Sequence, residues 1–527
     1  MSTPADAPAR SRVAITVAAI IIASLVVLFF VAAGLTADIL WYDQLGFATV
    51  LWTRWGASAA IFAVGFLLMA VPVFLSMFIA YRSRPMYAKL SAQLGRYQEV
   101  VEPLRRIAGI GIPVALGVIA GFTVSTNWPL VAQWMNSTPF GEVDPEFGLD
   151  LAFYVFELPF WRMVVGFASA AVLLSAIGAL VTAYVYGAIR VVGRQVRISR
   201  AARIQLAITF GLYLIVQAAS FWLDRFATLT SPSDGFLVTG AGFTEVNASI
   251  PGRTIMAGVA LVVALLFFIT AIVGRWRLPI AGVAMLVVVG LVVGTAYPWI
   301  VQRFQVEPSA KTTEAPYIER SIEATREAFG VADVEEVPFS AVTDAEAGAL
   351  REDAQTTASI RILDPAIVSP AFSQLEQIKQ FYRFQSHLDV DRYEIDGTMQ
   401  DTVLAVRELN QDGIDAGSRN WYNDTLVYTH GFGVVAAYGN QRAADGSPLF
   451  LEAGIPSVGS LGDFEPRVYF GEGSPEYSIV GAPEDADPIE IDYPLSGGDT
   501  GPNATTIFEG DGGPKLDNCF VQLVYAL

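Results

Sequence analysis

Seven stretches of this chain, at residues 13–35, 57–81, 107–124, 163–189, 204–223, 254–273 and 278–301, contain no Asp, Glu, Lys or Arg. Each is close to the 20 or so helical residues that cross a hydrocarbon core. After residue 301 the pattern changes. "APYIERSIEATREAF" and "SPAFSQLEQIKQFYRF" place apolar residues at helical spacing, whereas "DTVLAVREL", "TLVYTHGFGVV", "PRVYF" and "YSIV" read as strands. Turn-rich segments such as "NQDGIDAGSRN" and "GAPEDADP" separate them. The expected fold is an all-α bundle of seven transmembrane helices over residues 1–301, followed by an α+β domain over residues 302–527.

Charge gives the bundle a direction. Short cytoplasmic loops retain Lys and Arg. Alternate loops hold Arg10 and Arg12; Arg82, Arg84, Lys89, Arg96, Arg105 and Arg106; Arg190, Arg194, Arg197, Arg200 and Arg203; and Arg275 with Arg277. The intervening loops hold only Arg54, Arg162, Arg225 and Arg253. Seven crossings from a cytoplasmic N-terminus place the second half outside a plasma membrane. That half is acidic: residues 1–300 carry 19 Lys and Arg against 13 Asp and Glu, and residues 301–527 carry 14 against 38. So acidic a domain repels a phosphate backbone, which excludes nucleic acid as its partner. The single cysteine, Cys519, excludes an intrachain disulfide framework.

The first stretch also resembles a signal peptide, with a basic start and "FFVAAGLTA", but it is longer than an ordinary signal core and six more spans follow. Inside the spans, "GVIAG" (Gly117, Gly121) and "GLVVG" (Gly290, Gly294) are patterns that let helices approach closely. Ionisable residues, the usual mark of a transport path, are absent from the seven stretches, which leaves Gln217, Ser169, Ser175 and Thr182 as polar candidates. The aromatic and acidic segment 136–162 is expected to form an interfacial helix or re-entrant turn.

No phosphate-cradling loop, nucleophile elbow, HExxH helix or dinucleotide glycine triplet occurs, so no catalytic or cofactor-binding residue is assigned and the cofactor is unknown. "SHLDVDRYEIDG" gathers His387, Asp389, Asp391 and Asp396 as weak candidates for a metal. Counted from Asp389, however, its glycine falls at the ninth place and not the sixth of a calcium loop, and a solvated acidic loop is the simpler reading. His430 sits in "THGFG" without a nearby acid or second histidine, which favours a hydrogen-bonded packing role. Gly431 and Gly433, which flank Phe432, are expected to be fixed by backbone constraints.

The segments "YIERSIEATREAFGV", "IRILDP", "QIKQFYRFQSHLDVDRYEIDG", "NWYNDTLVYTHGFGVVAAYGNQ", "PRVYFGEGSPEYSIVG" and "IDYP" resemble those of uncharacterised protein family 0182, large multi-pass membrane proteins of actinobacteria. The resemblance implies seven spans and a long extracytoplasmic domain, and brings no known activity. Members of that family continue beyond the position matching Leu527, so the C-terminal domain is expected to be incomplete. Phe520, Val521, Leu523, Val524 and Leu527 would then lack an apolar partner. Three functions fit: display of an acidic domain that binds or scaffolds envelope proteins or polymers, a transporter or export component, and an envelope-acting hydrolase. The bilayer is the partner common to all three.

Overall fold

The structure is a computed structural model that describes residues 7–85, 92–192, 195–233, 237, 239–340, 347–348, 351, 360–483, 485–495 and 501–525. Lys89, Arg194 and Leu527, named above, lie outside the described residues. The chain forms two compact units, Met1–Glu336 with Pro514–Leu527, and Val337–Gly513.

Seven helices of the first unit are long and apolar enough to cross a membrane, which marks a multi-pass membrane protein: Ile15–Gln44, Ala48–Arg82, Ile107–Ser125, Phe153–Val185, Arg200–Thr230, Glu245–Val273 and Arg277–Thr313. The helices α1 (Ala7–Gln44), α2 (Ala48–Arg82) and α3 (Ala92–Ser125) come first, then the short α4 (Trp128–Met135). They are followed by α5 (Leu158–Val185), α6 (Arg200–Ala227), α7 (Ile250–Val273) and α8 (Arg277–Leu291). Helix α2 packs on α3 and α5, α5 on α6, and α6 on α7. The first small-residue pattern serves this packing. A Cβ on Gly117 would meet the Phe66 ring at 2.8 Å, and one on Gly121 would meet Phe62 at 2.9 Å. The second does so only in part: Gly290 lies against Met256, whereas Gly294 has open space beside it.

Three expectations are revised here. The fourth apolar stretch stops being helical at Val185, and a hairpin follows, with β1 (Ile189–Val192) paired to β2 (Gln195–Ile198). Gly187 at φ +71° turns the chain into it. Segment 136–162 is no interfacial helix in its first half, because its acids are spent on the loop's own backbone. Asp144 accepts N–H groups from Glu146, Phe147 and Leu149, and Asp150 accepts from Phe140, Gly141 and Ala152. Those backbone N–H groups, that of Ala152 foremost, hold the Asp150 carboxyl below the ordinary range. The tail is not bare either: α13 (Cys519–Tyr525) lies with the first unit beside α1, and Val521 and Val524 are buried while Phe520 and Leu523 are exposed. The seventh apolar helix runs past residue 301, through π turns and the short α9 (Tyr297–Val301) and α10 (Ala310–Thr313), and α11 (Ala315–Ala328) stays in the same unit.

The second unit is built on a five-stranded antiparallel sheet of order β10-β9-β8-β5-β4. Its strands are β4 (Asp389–Ile395), β5 (Thr398–Val406), β8 (Val434–Arg442), β9 (Pro448–Ala453) and β10 (Val458–Gly459). Alternation sends Val403, Ala405, Val435 and Ala437 to one face, where Val368 and Phe372 of α12 (Pro365–Glu376) cover them. Ala436 and Leu451 face the other side with Ile395. Helix α12 starts at Pro365, capped by Asp364, which accepts the Ala366 N–H at 2.9 Å. It ends at Glu376, and Ile378 is left-handed at φ +64°, so "FYRF" is strand β3 (Tyr382–Arg383) rather than helix. Thr425–Val427, the start of a run expected as strand, belong to a π turn, Asn423–Val427.

Candidate functional site

Around the "THGFG" segment the second unit buries charge that the sequence left scattered. Strand β6 (Glu408–Leu409) follows β5 directly, and the Arg407 side chain between them is fully buried. Its guanidinium donates to the carbonyls of Glu376 (2.8 Å), Phe432 (2.9 Å) and Gly454 (3.3 Å) and lies 3.6 Å from the Glu376 carboxylate. Burial pushes its pKa down from the usual arginine range, opposed by the charge of Glu376. One cation thus ties the end of α12 to β7 (Gly431–Phe432) and to the turn after β9. The glycines of "GFG" make room for it. A Cβ on Gly431 would lie 2.2 Å from the Arg407 carbonyl oxygen, and one on Gly433, at φ +86°, would lie 2.9 Å from the guanidinium. The expectation of backbone constraint at both glycines agrees with this geometry.

His430 is buried beside this pin. Its Nε2 lies 3.0 Å from Asp492 and its Nδ1 2.9 Å from the Thr429 hydroxyl, which donates to Glu490 at 2.9 Å. Asp492 accepts a two-pronged bond from Arg467 (2.7 and 2.9 Å), and Glu490 also takes the Tyr469 hydroxyl and the N–H groups of Gly481 and Phe508. These acids lie on β12 (Glu490–Pro494), and Arg467 begins β11 (Arg467–Val468), which pairs with β7. Glu408 accepts from Gln385 and from the N–H groups of Glu472 and Gly473. Every polar atom of the histidine ring is matched and no face of it meets solvent. The arrangement fixes loops in place: it closes the 464–482 and 490–494 segments onto the sheet. The sequence reading missed Arg407, Glu408, Glu490 and Asp492; charged residues inside otherwise strand-like runs ("AVREL", "IEIDYP") were the available signal.

The four metal candidates are placed apart. Asp389 and Asp391 lie on β4, which rises about 3.3 Å per residue, and Asp396 lies in the turn at its far end. Asp391 caps the Arg392 N–H at 2.8 Å. His387 lines an open depression of about 450 Å³ with Arg361, Asp364 and Val390. Among the described residues, no three His, Cys, Asp or Glu side chains are grouped so as to hold a metal ion.

Loop 411–428 carries an exposed aromatic surface. Trp421 and Tyr477 are 47% and 42% exposed, joined by the indole N–H donating to the phenol oxygen at 3.1 Å. Arg419 braces the loop through Asp424 (2.9 Å) and the Gln411 carbonyl (2.6 Å).

In the bundle two of the polar candidates, Ser169 and Gln217, find partners, whereas the buried Ser175 hydroxyl has none. Ser169 on α5 donates to Gln217 on α6 at 3.2 Å, and Gln217 donates to the Tyr213 hydroxyl at 2.9 Å. Ser76 on α2 donates to the Ser175 carbonyl at 2.7 Å and receives Gln205. Spacing along α6 was the missed signal: Gln205, Thr209, Tyr213, Gln217, Ser220 and Asp224 recur every three or four residues and so share one side of the helix. At its far end Asp224 pairs with Arg162 at 3.3 Å.

The sequence profile of the uncharacterised protein family UPF0182 matches residues 15–527. The chain is similar to a UPF0182 protein of Clavibacter sepedonicus, 59% identical over 526 residues, which covers 100% of this chain and 54% of that one. It is similar to one of Leifsonia xyli subsp. xyli, 57% identical over 521 residues (99% and 52%), and to one of Arthrobacter sp. strain FB24, 47% identical over 532 residues (100% and 53%). The chain spans about half the length of these curated relatives. No solved structure matches.

Proposed function

The chain belongs to the uncharacterised protein family UPF0182, and from that premise we propose that it is a plasma-membrane protein whose acidic second unit faces outward and binds envelope polymers or proteins. The observation that carries this reading is the braced aromatic surface of Trp421, Tyr422 and Tyr477. Half-exposed rings cost hydration unless they are covered, and such patches on soluble surfaces mark binding sites. Arg419 holds the Trp421 loop and Glu408 the segment leading to Tyr477 before a ligand arrives, which lowers the ordering cost of binding.

The test uses the full chain in detergent, sedimented with insoluble cell-wall polymer. The wild type is expected in the pellet, and the double variant Trp421→Ala, Tyr477→Ala in the supernatant; equal pelleting of both would sink the reading. Orientation is checked separately. A reporter active only outside the cytoplasm is expected to work when fused after Gln302 and to fail after Arg200, and activity at Arg200 would invert the topology.

A transport or export role is the second reading, favoured by the polar line on α6. Its check is solute or ion flux in proteoliposomes, lowered by Gln217→Leu.

A further inference from the structure

We propose that the crevice between α5 and α6 at the Arg162 end of the bundle binds the phosphodiester headgroup of an anionic membrane lipid. This rests on the membrane reading above and goes beyond the display role, because it assigns a ligand to the first unit.

The crevice measures about 240 Å³ and is lined by Arg162, Asp224 and Ser220 on its polar side and by Val165, Gly166 and Leu223 on its apolar side. That division matches an amphiphile whose charged head meets arginine while a chain follows the helix surface. The depth fits too. Trp161 and Trp222, both exposed, sit beside Arg162 and Asp224 in sequence, at the level where indole rings mark the headgroup zone.

Charge settles the sign of the ligand. Arg162, Arg225 and Arg253 stand near the ends of α5, α6 and α7, and the Asp224 carboxylate is bonded to Arg162. Arg253 is already committed to the Asp224 carbonyl and the Thr228 hydroxyl. Arg162 keeps its other donors beside the single contact to Asp224, and its side chain is 53% exposed. Arg225 stacks on Trp222 at 3.5 Å, its Nε is buried without a hydrogen-bond partner, and among the described residues it has no carboxylate within ion-pair distance. Two acids of the preceding loop are engaged elsewhere: Asp144 with backbone N–H groups and Tyr154, Glu146 with Arg320. A guanidinium with open donors at a bilayer surface calls for an anion, and lipid phosphate is the anion present there. Ser220 and the Asp224 carboxylate can take the hydroxyls of a polyol headgroup.

Gly166 supplies the test. A Cβ there would meet no atom within 4 Å, so leucine enters the crevice without a clash at the backbone. Full-length protein in detergent is titrated with phosphatidylglycerol and, separately, with phosphatidylcholine, and retained lipid is read by native mass spectrometry. Wild type is expected to retain phosphatidylglycerol preferentially, with Gly166→Leu and Arg162→Gln each binding it about tenfold more weakly while unfolding at the wild-type temperature. Inorganic phosphate at millimolar concentration is expected not to displace the lipid, because it lacks the apolar part; full displacement would make the site one for a free anion and overturn the assignment. Equal retention of both lipids by the wild type, or wild-type affinity in both variants, would also overturn it. Failure of the protein to fractionate with membranes would instead defeat the reading on which the inference rests, so the two failures are told apart.

Discussion

Substituting valine for Gly431 is expected to prevent the second unit from folding. A Cβ at that position would lie 2.2 Å from the Arg407 carbonyl oxygen and 2.8 Å from the Glu408 Cα. Both obstacles are backbone, so no rotamer change relieves them. Moving β7 away would break the bond from the Phe432 N–H to that same carbonyl, 2.9 Å long, and unseat the guanidinium that Phe432 and Gly454 hold. Effects of this kind exceed about 4–5 kcal/mol, most of the roughly 5–15 kcal/mol that a domain commands. Valine at Gly433 should cost less. Its Cβ would meet side-chain atoms rather than backbone, the Ser457 hydroxyl, which can rotate, and the edge of the Arg407 guanidinium, and the left-handed φ of +86° adds about 1–3 kcal/mol of strain. Limited proteolysis of residues 360–513 reads both variants, and wild-type resistance in the two would show that neither glycine is constrained.

Removal of the Asp492 carboxylate is expected to be the next most damaging change. Asp492→Ala strips the acceptor from Arg467 and from the buried His430 ring at once, and a buried ion pair that loses one partner costs about 3–5 kcal/mol. The same contacts predict a pH dependence. Burial alone would raise the Asp492 pKa, yet the bonds from His430 and Arg467 outweigh it and hold the carboxyl below the ordinary range. A carboxylate with a depressed folded pKa stabilises above its unfolded value of about 3.9, and that contribution is lost as pH falls through the folded value. The urea midpoint of the second unit should therefore drop between about pH 4 and pH 2. Asp492→Asn, which cannot ionise, should start lower and flatten that part of the profile. A wild-type midpoint at neutral pH in Asp492→Ala would remove Asp492 from the network's supports.

The sequence by itself determined the seven apolar helices, the change to a β-rich second half and the family. Each of these is a local or cumulative property: apolar length, period and composition can be read without knowing what touches what. It also indicated that His430 packs and that Gly431 and Gly433 are constrained, because the glycines flank an aromatic residue in a strand-like run. What it could not supply was partnership across the chain. Arg407 meets Glu376 and Gly454, His430 meets Asp492, and Ser76 meets Gln205 over separations of 31, 47, 62 and 129 residues. No spacing rule encodes such pairs, since side chains far apart in sequence become neighbours only when the sheet and the bundle close. The acidic composition suggested a solvated surface, yet Glu408, Glu490 and Asp492 are buried. Tertiary structure decided that, because only a folded unit can gather enough N–H groups and guanidinium donors around a carboxylate to offset the loss of its water.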